Sequence, residues 1–143
     1  MRRMIFGFSA TILLSAGVAG AGSPASNDWE KLKSLVGSWQ GTNEGRAVSA
    51  TYTLVSNGTA LMETLNGGHD ADMVTMYTSD GAVLLATHYC SAGNQPRMRA
   101  KASADGKSID FQFVDAHHFD QQWTSRGKDG RERTSVFRFT RRS

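Results

Sequence analysis

Short runs of strand length recur between turn-forming residues along most of this chain. That rhythm leaves little room for any architecture other than a β-meander. The markers are Asn57-Gly58, Gly67-Gly68, Asp80-Gly81, the Ser91–Pro96 break, Asp105-Gly106 and Asp129-Gly130. Asn-Gly and Asp-Gly suit the positive-φ positions of tight hairpins. The runs between them predict nine strands, at about 35–41, 46–55, 60–65, 72–78, 83–90, 97–103, 108–114, 119–125 and 132–141. Strand after strand, with no helix-length periodic segment between, implies an all-β, antiparallel up-and-down sheet.

Period-two alternation within these runs separates an apolar face from a wet one. Ile109, Phe111 and Phe113 share a face, with Ser108, Asp110 and Gln112 on the other. Met98, Ala100 and Ala102 oppose Arg97, Arg99 and Lys101, while Phe119 pairs with Trp123 and Phe137 with Phe139. One apolar face per strand, repeated this often, is what a closed or nearly closed barrel needs. A short helix is expected at Asp28–Leu35, where Asp28 can cap and Trp29, Leu32 and Leu35 fall on one side.

The first 21 residues read as a secretory signal peptide. Met1-Arg2-Arg3 is a basic start, Ile5–Val18 an apolar run, and Ala19-Gly20-Ala21 an Ala-x-Ala cleavage site. The run is short of the roughly 20 residues that span a bilayer. The expected organisation is therefore a signal at 1–21 cut after Ala21, a linker at 22–27 and one domain at 28–143. The expected location is the periplasm or the medium, with no stable membrane insertion once the signal is gone. Of the formal net charge of +3, two units belong to Arg2 and Arg3. The basic stretch Arg126–Arg142 reads as a solvated strand face, so no nucleic-acid partner is expected. A single cysteine excludes an internal disulfide, and the core must hold the fold alone.

Leu35-Val36-Gly37-Ser38-Trp39, after a helix and before the meander, resembles the Gly-x-Trp opening of lipocalin-like (calycin) barrels. In those barrels the tryptophan closes the bottom and a late arginine packs over it. Arg141, on the face of Phe137 and Phe139, matches that role, with Arg138 as second choice. Gly58–Leu65, Met73–Tyr77, Thr87–Met98 and His118–Thr124 are similar to a family of small exported bacterial proteins of unknown function. That family is placed among the lipocalin-like or nitrobindin-like barrels. The resemblance implies one more strand after the segment matching Phe113–Ala116, and here Ala116 runs almost directly into His117-His118. With nine strands, the closing pair of a meander runs parallel or leaves a gap.

The densest polar stretch is His88–Met98, which holds the one cysteine. Candidate ligand-binding residues are Glu63, His88, Tyr89, Cys90, Asn94, Gln95 and Arg97. His88 and Cys90 point the same way along one strand, which admits a thiol activated by an imidazole. The plainer alternative makes Cys90 a small buried residue and His88 a hydrogen-bonded one at the barrel end. Pro96 and the two amides can pin the break between strands, and Arg97 can pair with a carboxylate such as Glu63. Glu63 itself lies inward if Leu61 and Leu65 do, and outward if Ala60, Met62 and Thr64 take the lumen; the pattern leaves both open. His117 and His118 are adjacent, so they point to opposite faces and do not chelate together. No metal site and no catalytic set is expected. Met62, Met73, Met76 and Met98 could line an adaptable cavity or fill a core.

The leading expectation is non-enzymatic binding of a small, partly apolar molecule near the barrel mouth. The alternatives are a thiol- and histidine-dependent enzyme using His88 and Cys90, and a filled barrel serving as a structural or interaction domain. No cofactor is expected. Haem, which nitrobindin-like barrels hold through a histidine, is a minor alternative, since no such motif carries over residue by residue. An open sheet edge would make a homodimer through strand pairing plausible.

Overall fold

The computed structural model describes residues 24–68, 72–81, 83–99 and 108–143. The signal segment, His69, Asp105-Gly106 and the distal part of the strand expected at 97–103 lie outside the described residues. Helix α1 (Pro24–Lys33) leads into nine strands: β1 (Gly37–Asn43), β2 (Arg46–Val55), β3 (Ala60–Asn66), β4 (Met73–Asp80), β5 (Val83–Tyr89), β6 (Arg97–Arg99), β7 (Ser108–Phe113), β8 (His118–Arg126) and β9 (Glu132–Arg141). All nine belong to one antiparallel sheet, ordered β6-β5-β4-β3-β2-β1-β9-β8-β7 and strongly curled into a half-barrel.

The expected helix starts earlier than its sequence signals suggested. It opens at Pro24, a residue suited to the first helical turn, so Asp28 sits inside α1 and does not cap it. Beyond Lys33, bonds from the amides of Leu35 and Val36 to the carbonyls of Leu32 and Lys33 tighten the chain and bury Leu35. The turns follow the predicted dipeptides, with positive φ at Asn57, Gly58, Gly68, Gly81 and Gly130. A further one, Glu44-Gly45, joins β1 to β2.

The register explains where the sheet stops. Every pairing from β6 round to β7 is antiparallel, and there are eight of them, so β6 and β7 run in the same direction. Joining parallel neighbours calls for a crossover of about a dozen residues or more. Only eight separate Arg99 from Ser108. β6 and β7 are therefore the two ends of the sheet, and the half-barrel opens between them. The odd strand count leaves its gap there, while β1 and β9 pair antiparallel. That pairing depends on Gly41, because a Cβ there would lie 2.0 Å from the Arg138 carbonyl oxygen.

One end of the roll, taken here as its base, is closed. Trp39 is 2% exposed and donates its indole N–H to the Leu35 carbonyl at 2.7 Å. The Arg141 guanidinium lies 4.2 Å from the centre of the Trp39 rings. It also donates to the carbonyls of Ser34 at 2.7 Å, Val36 at 2.9 Å and Ala116 at 3.2 Å. The arginine thereby ties the helix exit and the β7–β8 turn to the last strand. Arg138, the second choice for this role, is exposed. Above the base, Phe119 packs edge-on against Trp39 at 4.7 Å and stacks on Phe139 at 5.0 Å.

Arg141→Ala should lower the unfolding free energy by about 2 kcal/mol, since it removes a cation–π contact and three charge-assisted hydrogen bonds, all partly solvated. Arg141→Lys should recover little, because an ammonium cannot stack and fork to three carbonyls at once. Urea titrations followed by circular dichroism measure both. A loss below about 0.5 kcal/mol would show that this closure contributes no more than an ordinary surface contact.

Candidate functional site

Cross-strand register builds the interior polar row. Tyr52 on β2 stands opposite Glu63 on β3, Glu63 opposite Thr75 on β4, and Thr75 opposite His88 on β5. All four are buried, because apolar neighbours two and four residues away on the same face, Leu61 and Leu65 on β3 and Leu84 and Ala86 on β5, pull that face into the lumen. The alternation of β3 is thereby resolved in favour of Leu61, Glu63 and Leu65, with Met62 and Thr64 half-buried on the outer side. Across the lumen, β8 presents Phe119, Gln121 and Trp123 at successive i+2 positions. They meet the base, the middle and the mouth in turn.

Glu63 has no solvent exposure. Tyr77 donates its hydroxyl to Glu63 Oε2 at 2.5 Å, and Gln121 donates its amide to Oε1 at 2.8 Å. Tyr52 and Thr75 also hydrogen-bond to the carboxyl. Four donors match its roughly four acceptor positions, which is what an acid in an apolar lumen requires. Burial nevertheless dominates and holds Glu63 above the usual carboxylate range, with those hydrogen bonds pulling the other way. Burial, reinforced by Glu63, also pushes both tyrosines well above the ordinary phenol value, so each stays a donor. Gln121 Oε1 is buried without a partner among the described residues.

Towards the mouth, Thr75 Oγ1 and His88 Nδ1 are 2.9 Å apart. The imidazole lies against the Trp123 indole, ring centres 4.4 Å apart and tilted by 53°. These two rings form one wall of a pocket of about 190 Å³, completed by Leu65, Met73, Ser135 and Phe137. Trp123 Nε1 is buried and has no hydrogen-bond partner among the described residues. A second pocket, of about 220 Å³, lies at the base between Trp39, Phe113, Phe119 and Arg141. Its polar groups serve the closure already described.

Of the residues singled out from sequence, the structure brings Glu63 and His88 together, bridged by Thr75. It does not bring the others to them. Tyr89 is 48% exposed. Asn94, Gln95 and Arg97 are exposed, and Cys90 is half-buried at the start of the turn, whose backbone closes through Cys90 N–H to Asn94 O and Gly93 N–H to Cys90 O. The expected Arg97–Glu63 pairing does not form. Arg97 follows Pro96 on the outward phase of β6, with Met98 taking the core position, while Glu63 faces the lumen. Met73, named as a possible cavity residue, does line the mouth pocket, whereas Met98 fills the core. Gln121, Tyr77 and Thr75 were not singled out. The signal for Gln121 was available, as the polar residue midway between two inward aromatics in Phe119-x-Gln121-x-Trp123. Among the described residues no cluster of three or more His, Cys, Asp or Glu could hold a metal ion.

Neither a model of a known protein family nor any curated protein sequence matches the chain. One solved structure of similar shape is a protein of unknown function from the DUF3598 family of Nostoc punctiforme. It is 12% identical, with a TM-score of 0.49 over 78% of this chain and 49% of that one. The chain thus spans about half the length of that protein.

Because its folded form binds a proton more readily than the ordinary glutamate, with its value near 4.5, Glu63 favours the folded state most at low pH. That contribution is lost as pH rises from the ordinary range through the raised folded value. The stability advantage of wild type over Glu63→Gln should therefore shrink between about pH 4 and pH 8 in urea titrations. A gap that widens with pH would contradict the assignment. Glu63→Ala, which strands four buried donors, should cost about 3 kcal/mol or more at any pH in that range.

Proposed function

We propose that this protein binds one small, partly apolar molecule at the open end of a calycin-like half-barrel, without catalysis. The observation that carries the reading is the mouth pocket, an apolar recess of about 190 Å³. Trp123, His88 and Ser135 stand among its apolar lining. A recess with apolar walls and a small number of polar groups is the usual form of a ligand site.

Among the described residues Tyr52, Tyr77, Phe111, Phe119 and the Glu63 cluster are buried in the middle of the lumen, which is the feature that favours the filled-barrel alternative. The thiol-enzyme alternative gains little from the geometry. His88 commits Nδ1 to Thr75 and its ring face to Trp123, both holding contacts, while Cys90 has left the strand for the turn. Export is part of the same proposal, supported by the basic start, apolar run and Ala-x-Ala of residues 1–21.

Native mass spectrometry of protein purified from its own host should show a single small adduct. Ser135→Trp, which places a ring in the pocket from its half-buried rim, should abolish that adduct while leaving the circular dichroism spectrum unchanged. An adduct retained at wild-type level in the variant would place the ligand elsewhere.

A further inference from the structure

We infer that Thr75 couples the buried acid to the histidine at the mouth, so that the protonation of Glu63 decides which ring nitrogen of His88 carries the proton. This coupling lies behind the mouth pocket and holds whether or not that pocket takes a ligand. Register aligns the three side chains. Glu63, Thr75 and His88 stand opposite one another on β3, β4 and β5, all buried on the lumen face. The Thr75 hydroxyl therefore lies between a carboxyl, to which it hydrogen-bonds, and His88 Nδ1 at 2.9 Å.

A threonine hydroxyl has one hydrogen to give and two lone pairs with which to accept. An ionised Glu63 only accepts, so the Thr75 hydrogen points toward it. Thr75 also hydrogen-bonds to the Tyr77 hydroxyl, which hands its own hydrogen to Glu63 Oε2. On either path the Thr75 oxygen is left to accept from His88, and Nδ1 must carry the ring proton. Protonating Glu63 turns the row around. The acid now has a hydrogen of its own to give, the Thr75 oxygen takes it, and the Thr75 hydrogen swings to Nδ1. The neutral ring then holds its proton at Nε2. A proton entering the row at Nε2 completes the exchange: Nδ1 passes its proton to Thr75, and Thr75 passes its own to Glu63.

Burial marks His88 as the point of entry. Glu63, Thr75, Tyr77 and Gln121 have no exposure, while His88 keeps 5% and lines the mouth pocket. The acid is faced by Tyr52 from β2, Thr75 and Tyr77 from β4 and Gln121 from β8. Burial holds both phenols protonated, and the threonine and the amide carry no charge. His88 faces Thr75 from β4 and Trp123 from β8, neither of which titrates near neutral pH.

Long-range proton–nitrogen correlation spectra of the His88 ring read the tautomer directly, because a protonated ring nitrogen and a bare one resonate far apart. At about pH 9, above the ordinary ranges of carboxyl and imidazole groups, wild type should show Nδ1 protonated and Nε2 bare. Glu63→Gln, which removes the charge that holds the Thr75 hydrogen, should show the reverse at the same pH. In a Thr75→Val background the Glu63→Gln change should leave the ring nitrogens as they are, and Thr75→Ser alone should keep the wild-type pattern. Nε2 protonated in wild type at that pH overturns the inference, and this arm needs no variant to fold. A tautomer that ignores Glu63→Gln, or one that still follows it in the Thr75→Val background, overturns it equally.

Discussion

A carboxyl group with no exposure at the centre of a β-lumen is the constraint around which the interior is arranged. Leaving such a group without donors costs more than most single contacts return. Glu63 draws its donors from strands on either side and from across the roll: Tyr52 on β2, Thr75 and Tyr77 on β4, and Gln121 on β8. Only a sheet curled enough to face β3 with β8 can do this. The acid therefore specifies curvature as well as register, because slipping β3 by one residue would put Glu63 outside and strand two phenols and an amide within.

That polar knot divides the lumen into three storeys of different character. Below it, Trp39, Phe119, Phe139 and the Arg141 guanidinium form a stacked base. At its level Tyr52, Tyr77 and Phe111 are buried. Above it, His88 is positioned by Thr75, and Trp123 leans on His88, so the mouth wall is held by a chain of contacts that begins at the buried acid. The mouth pocket begins where that row ends, at His88.

Much of this architecture was legible in the sequence, and the parts that were not share a physical reason. Strand positions followed from the turn dipeptides and from alternation, and the Arg141-over-Trp39 closure from a short motif and the phase of the last strand. Glu44-Gly45 passed unnoticed because a glutamate rarely adopts positive φ, yet Glu44 does so at 49°. The phase of Glu63 was undecidable because β3 carries Ala60 and Met62 on one side and Leu61 and Leu65 on the other, so burial alone does not separate the faces. What separates them is the presence of Tyr77 and Gln121 as donors, which are distant in sequence and adjacent only once the sheet curls. The polar turn at 91–95 attracted attention as a site, but its density of amides serves a chain reversal at the surface. The mouth pocket instead takes its polar wall from the last residue pair of an ordinary row and from a strand 35 residues further on.

The odd number of strands has its own consequence for the mouth. Parity forces β6 and β7 to run in the same direction, and the short connection between them forbids the crossover a parallel pair would need. The sheet must then end there, with β6 as one margin and β7 as the other. Among the described residues Arg97 and Arg99 put two charges on the outward face of β6. β7 carries Ile109 and Phe111 inward, so its edge is anchored by core packing and its outward residues are polar. The opening is thus a consequence of topology that the margins are built to tolerate. The mouth pocket lies against the continuous part of the sheet, formed by β3, β4, β5, β8 and β9, where every strand has two neighbours.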